Sequence, residues 1–340
     1  MGASRAKVAL KILAAACAFG LVSGFFYERI GRRNDRKRLL QIGRSVDIGG
    51  RSLNIFCSGS GTPAVILDTG GDNPGLALEG TQTEIAKFTE ACWYDRAGIG
   101  WSDSGPYPRT SAAIASDLHE LLKRAGVPPP YVVEGGSIGG LNSRVFAGMY
   151  PKDTAGVVLD DSAHEDEPLR APKFFLARHE APRALWRPIH YLFWTAAEVG
   201  LLRLTGSSPS GDKSESRMTR EELITELRHQ PKSFLNNVDA GMVLNESYAE
   251  AKAIPSLGDM PLIVLTAGKS SDFGDAELNR QAEAYQQVWV HEIQPKLAAL
   301  SSRGRQIVVA NATHTTIPQE TIVTAIHDVV NEARQHPTNR

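Results

Sequence analysis

Residues 130–151 read PYVVEGGSIGGLNSRVFAGMYP: a short apolar run, four glycines around one serine, then a run with helical spacing. Gly135, Gly136, Gly139 and Gly140 crowd both sides of Ser137, and glycines gather where the backbone turns sharply or another atom must come close. A strand that passes into a helix through such a turn leaves a single hydroxyl at its tip. The helix N-terminus just beyond it favours negative charge developing there. Gly135–Gly139 fits G-x-S-x-G, which in this strand-to-helix setting marks an exposed nucleophile and out of it is only a glycine loop.

The same alternation runs through the chain after Arg44. RSLNIFCSG and PAVILDTGG are apolar runs closed by glycine turns, and CWYDRAGIG is a third. TSAAIASDLHELLKRAG opens on Thr110 and Ser111 as caps, lines Ile114, Leu118, Leu121 and Leu122 along one face and stops at Gly126, which predicts an amphipathic helix. PYVVEGG, AGVVLDDS, PLIVLTAG and RQIVVAN supply further strands, and PQETIVTAIHDVVNEA a last helix. Strands alternating with helices predict a mostly parallel sheet flanked by helices, an α/β fold. Between about His164 and Leu257 no strand pattern occurs, so residues 164–258 read as a helical cap inserted into a core of 41–163 and 259–340, with the polar stretch GSSPSGDKSESR as a mobile loop.

Ahead of the core, Val8 to Tyr27 reads VALKILAAACAFGLVSGFFY, interrupted only by Lys11 near one end. As a helix these twenty or so residues span roughly 30 Å, the thickness of the hydrocarbon layer. Residues 1–40 are therefore expected to form a membrane anchor and basic linker. The competing reading is a cleaved signal peptide; no small-x-small site precedes a polar start, and the FFY cluster fits an interface belt. The side of the membrane stays open. Six basic groups between Arg29 and Arg38 outnumber Arg5, Lys7 and Lys11, which favours a cytoplasmic core, whereas a bridge between Cys57 and Cys92 would require an oxidising compartment.

A serine hydroxyl is a weak nucleophile that needs a base, and the base needs a carboxylate to orient it. Of the nine histidines, His314 in VVANATHTTIP stands on the loop after the last strand, downstream of every other element. His119 and His327 lie within helices as surface or packing residues.

Taken in order, VILDTGGDNPG, YDRAGIGWSD, YVVEGGSIGG, VVLDDSAHED and NATHTTIPQE resemble successive motifs of the α/β-hydrolase superfamily, over about 45–163 and 259–335. The N-terminal span with IGGRSLNIFCSGSG resembles its membrane-anchored bacterial members. The resemblance implies the chain order serine, acid, histidine, met by Ser137 and His314 with an aspartate between. The acid is expected at Asp161, in the turn after the strand preceding the cap, or at the alternative Asp272. Asp160 and Asp161 point to opposite faces by strand alternation, so one of them approaches His314. The resemblance further implies an oxyanion hole from the backbone N–H groups of Ile138 and Gly71, where Asp68-Thr69 replaces a more familiar histidine. Trp101 is expected in the substrate pocket, and Asp95 with Arg96 as a buried pair fixing a turn. Gly136 and Glu134 depart from the pattern, and a carboxylate on a strand covered on both faces must be paired, neutral or displaced.

The expected activity is that of a serine hydrolase cleaving small or apolar esters through an acyl-enzyme, with an aminopeptidase-like or acyltransferase activity as the alternative and a non-catalytic binding protein as a further one. Epoxide hydrolase and dehalogenase chemistry would place an aspartate where Ser137 stands. No metal or organic cofactor is implied. With 37 basic and 38 acidic residues the net charge of −1 supplies no field for nucleic acid, so the expected partners are a small-molecule ester and the membrane.

Overall fold

The computed structural model of the protein describes residues 2–176, 183–205 and 218–335. Its centre is an eight-stranded sheet of β1 (Arg44–Asp47), β2 (Ser52–Ser58), β3 (Ala64–Asp68), β4 (Ala91–Tyr94), β5 (Tyr131–Gly136), β6 (Thr154–Asp160), β7 (Leu262–Ala267) and β8 (Gly304–Val309), ordered β1-β2-β4-β3-β5-β6-β7-β8. β2 pairs antiparallel with β1 and β4, and the remaining pairs are parallel. The central strands β3 to β7 are buried along nearly their whole length and mostly apolar, as a sheet covered on both sides requires. β1, short and largely exposed, carries no apolar run that announces it.

The helix Ser111–Ala125 forms as its sequence predicts. Thr110 caps it by accepting from the Ala113 N–H, and Gly126 ends it in the left-handed region at φ +73°. Leu118, Leu121 and Leu122 join Ile66, Val133 and Val157 in one core, together with Leu141 and Val145 of the helix Ile138–Met149. The helix Gln319–Gln335 covers the opposite face, where Val329 packs so closely on Gly156 that a Cβ there would lie 2.3 Å from it.

The chain divides into two compact units, one of residues 1–41 and 182–235, the other of 42–181 and 236–340. The insert boundaries therefore shift from the expected 164–258. Residues 164–181 and 236–258 belong to the core unit, because Arg144 is clamped by Glu165 at 2.5 Å and by the Ala251 carbonyl at 2.8 Å, and Tyr248 and Leu257 are buried in the core. In the other unit the N-terminal helix Gly2–Arg38 is long and apolar enough to cross a membrane. Its Glu28 is fully buried and ion-paired to Arg32 and Arg203, each at 2.8 Å. The stretch Gly206–Arg217, read as a mobile loop, lies outside the described residues.

Cys57 and Cys92 face each other across β2 and β4 with their Cα atoms 4.1 Å apart, joined as a disulfide; Cys17 is free. Because 35 residues separate them, the bridge removes substantial freedom from the unfolded chain. Replacing both by alanine is expected to lower the unfolding free energy by on the order of 2–4 kcal/mol in urea titrations, and an unchanged midpoint would contradict the loop-closure account.

Candidate active site

β5 delivers Ser137 to a turn with φ +53° and ψ −122°, a strained conformation for a residue with a Cβ. Ser137 N–H donates to the Asp160 carbonyl at 3.0 Å, and its own carbonyl accepts from Ala163 N–H at 3.0 Å. Glycine is obligatory on either side: a Cβ on Gly135 would lie 2.3 Å from the Gly139 carbonyl oxygen, and one on Gly139 2.6 Å from the carbonyls of Asp68 and Thr69. Such strain costs about 1–3 kcal/mol. Burial of one leucine, such as the fully buried Leu141 one turn into the helix, offsets it with about 1.5–3 kcal/mol.

Asp161 leaves β6 at φ +43°, out of register with strand alternation. Its carboxylate, 3% exposed, is held by three donors. Oδ1 accepts from Ala267 N–H at 3.0 Å and from the Trp289 indole at 2.8 Å, and Oδ2 lies 2.6 Å from His314 Nδ1. Trp289 begins a single turn of π-helix, Trp289–Ile293, a geometry often found at functional sites because it re-aims one side chain. The His314 loop is held by the Thr313 N–H donating to Thr316 Oγ1 at 2.8 Å and by the Lys269 N–H donating to the Ala312 carbonyl at 2.9 Å. The hydrogen bond that His314 donates to Asp161 raises the imidazole's pKa above its ordinary value of 6.5, against the opposing effect of burial.

Ser137, Asp161 and His314 line one cavity of ≈ 260 Å³. Its apolar wall is Phe175, Phe273, Tyr285 and Trp289, and its polar groups include Glu167 and Lys269. Burial pushes the Glu167 carboxyl above its ordinary range, opposed by the Tyr248 hydroxyl that donates to it at 3.0 Å.

Other expected site residues fall differently. Asp272 is outside the cavity and solvated, its Oδ1 taken by the Gly274 N–H and the Asn279 amide at 2.9 and 2.8 Å. Trp101 is not in the cavity wall either, because its backbone N–H donates to Asp95 Oδ2 in a tight turn and the aromatic wall comes from elsewhere. Asp95 and Arg96 serve separate segments. Asp95 accepts from Asn54 at 3.0 Å and from the Gly75 N–H at 2.7 Å, while Arg96 reaches the carbonyls of Thr69 and Gly71 and lies 3.3 Å from Asp68. Arg96 thereby fixes the glycine loop that packs on Ser137, where a Cβ on Gly70 would meet Ser137 Cβ at 3.3 Å. On that loop Gly71 has φ +55°. Ile138 opens the next helix, so its N–H has no partner within it. Among the described residues one group of metal-ligating types gathers, Cys57, Glu90 and Cys92, and both of its sulfurs are in the disulfide.

Sequence reasoning missed Trp289, Phe175 and Tyr285. Trp289 carried no signal, being one aromatic in a helical stretch 128 residues from the carboxylate it holds.

Residues 91–224 match the family model described as alpha/beta hydrolase fold. The Bacillus subtilis protein YbdG, itself uncharacterized, is 26% identical over 157 residues, which covers 46% of this chain and 48% of YbdG. The chain thus spans about half the length of that relative. An esterase from Thermogutta terrifontis aligns with a TM-score of 0.54 at 17% identity over 86% of this chain and 99% of that one. The enol-lactonase from Burkholderia xenovorans gives 0.52 at 15% identity over 85% and 100%. With the strand order and the serine turn, these likenesses show that the chain has the α/β-hydrolase fold.

Glu134, on β5 between Leu67 and Val158, is 3% exposed, and among the described residues its Oε2 has no hydrogen-bond partner. Burial first, then the nearby Asp160 and Asp68, raise its carboxyl well above 4.5, so it is neutral where an ordinary glutamate is charged. Asp160, diagonal to it, is pushed up to about 7 by burial and by Asp161. A group whose pKa is raised in the folded state holds its proton after the unfolded chain has lost it, so stability falls as pH rises above 4.5. Glu134→Gln is therefore expected to match the parent's melting temperature at pH 4 and to exceed it increasingly toward neutral pH; parallel profiles would contradict a neutral Glu134. Asp161→Asn is expected to lower the His314 titration midpoint, followed by NMR of the imidazole, and an unmoved midpoint would contradict the pairing.

Proposed function

We propose that the protein is a serine hydrolase cleaving carboxylic esters through an acyl-enzyme. The observation that carries this reading is the 2.6 Å contact of Asp161 with His314 Nδ1, in a cavity that also receives Ser137. With Nδ1 engaged, His314 Nε2 is free to take the Ser137 proton as Oγ attacks the ester carbonyl. The N–H groups of Ile138 and Gly71 receive the oxyanion, His314 returns the proton to the departing alkoxide, and a water deprotonated by His314 then releases the acid. A volume of ≈ 260 Å³ lies below the usual ligand-pocket range of roughly 300–1,000 Å³, which favours a short or compact acyl group over a long chain. One observation favours the aminopeptidase-like alternative: Glu167 offers a carboxyl in the cavity to a substrate ammonium, though its raised value weakens that role. The N-terminal helix supports attachment to a membrane, and the Cys57–Cys92 bridge supports a core on its oxidising side.

Hydrolysis of chromogenic esters of graded acyl length tests the reading. Turnover is expected to fall on the acid side with an apparent midpoint above 6.5, since His314 acts only when neutral. Asp161→Asn is expected to lose on the order of 10³–10⁴ in kcat while Asp272→Asn stays near the parent. The converse pattern would overturn the assignment, and amide cleavage exceeding ester cleavage would favour the alternative.

A further inference from the structure

The insert helix Arg183–Glu198 and the short turn Leu201–Leu204 carry an apolar face that no described residue covers. Tyr191 is 62% exposed, Leu192 68% and Leu204 67%, with Leu185, Trp194 and Leu201 about half exposed. At 100° per residue Leu185, Tyr191 and Leu192 share an arc of about 120°, and Trp194 stands about 60° beyond Tyr191, past Glu198 and Arg187. The opposite arc is engaged: Ala197 is fully buried, and the Phe193 ring stacks edge-on against Phe234 at 5.4 Å. Soluble surfaces seldom leave large apolar side chains grouped in this way uncovered.

The place where this element meets the N-terminal helix says what covers it. A Cβ on Gly24 would lie 2.3 Å from the Val199 carbonyl oxygen, and one on Gly200 2.9 Å from the Tyr27 ring. Contact thus falls at Gly24–Tyr27, where the apolar run Val8–Tyr27 gives way to charges. One turn on, the ion pairs begin: Arg203 with Glu28 and Asp35, each at 2.8 Å, and Arg32 with Glu198 at 2.7 Å. A helix crossing a membrane has its water boundary at such a change, the level at which tyrosine and tryptophan concentrate. Arg33, Arg36 and Lys37, all exposed, follow on the polar side, where anionic headgroups would meet them.

We propose that the face of Leu185, Tyr191, Leu192 and Trp194, continued by Leu201 and Leu204, lies in the interfacial layer of the bilayer that the N-terminal helix enters. This rests on reading that helix as a membrane span. The protein then has two attachments, one crossing and one lying flat, and the insert helices are fixed at the lipid surface.

The test uses the full chain with Cys17→Ser, reconstituted into phosphatidylcholine–phosphatidylglycerol vesicles and spin-labelled at one cysteine: Leu192→Cys, Leu204→Cys, Phe19→Cys within the span, or Glu283→Cys on the exposed surface of the core. The replaced side chains are exposed, and circular dichroism checks that each labelled variant keeps its fold. Collisions with dissolved oxygen and with a water-soluble nickel chelate locate each label. The labels at 192 and 204 are expected to show severalfold fewer nickel collisions than the label at 283, with oxygen collisions retained as at 19. Nickel access at 192 and 204 equal to that at 283, with 19 still shielded, overturns the inference and leaves the span intact. Nickel access at 19 as well removes the span and the inference with it. Labels at 192 and 204 shielded from both agents would mean that protein, a second copy included, covers the face, and would also overturn it.

Discussion

A carboxylate taken out of water must be matched by donors, and the Asp161 carboxylate is matched by three drawn from three parts of the chain. Ala267 at the end of β7 and Trp289 on the following helix both donate to Oδ1, and His314 after β8 meets Oδ2. Each lies more than a hundred residues from Asp161 in sequence, so this one group ties together the loops that end β6, β7 and β8. Its position in turn depends on the left-handed turn at φ +43°, which swings the side chain off the strand's alternation. Remove the carboxylate and His314 loses its orientation, and Trp289 and the Ala267 amide lose their acceptor in a buried place.

The surrounding chemistry follows from charge that is either matched or suppressed. Arg96 is buried but bonded to two carbonyls and an aspartate, and it holds the glycine loop beside Ser137. Among the described residues Glu134 Oε2 and Asp160 Oδ1 have no such partner, and burial holds both groups toward the neutral form. The strand below the nucleophile therefore tolerates an acidic residue because burial keeps its proton on. Asp161, by contrast, has donors at both of its oxygens.

Much of this was legible in the sequence wherever the determining contacts are local. The helix Ser111–Ala125 could be read from its cap, apolar face and terminal glycine, and the serine turn from the glycines set around one hydroxyl between a strand and a helix, although Gly139 makes its own close contacts with Asp68 and Thr69. His314 could be located because its place after the last strand follows from chain order. The choice between Asp161 and Asp272 could not be made from alternation, since it turned on the sign of one backbone angle and on Asn279 and Gly274 engaging Asp272. Trp289 and the other aromatic wall residues depend on the register of helices against the sheet, which no short pattern encodes, and Trp101 was expected in their place. The strand-free stretch reads as one cap, but its middle groups with the N-terminal helix, to which it is tied by the Glu28–Arg203 pair, 175 residues apart in sequence.

The account's central claim is that Ser137 is a nucleophile made reactive by His314. Treating the folded protein with a fluorophosphonate and mapping the adduct by mass spectrometry tests it most directly. The prediction is a single phosphonyl group on Ser137, formed much more slowly in His314→Ala. A folded protein that takes up no probe, or one modified elsewhere while Ser137 stays free, would contradict it.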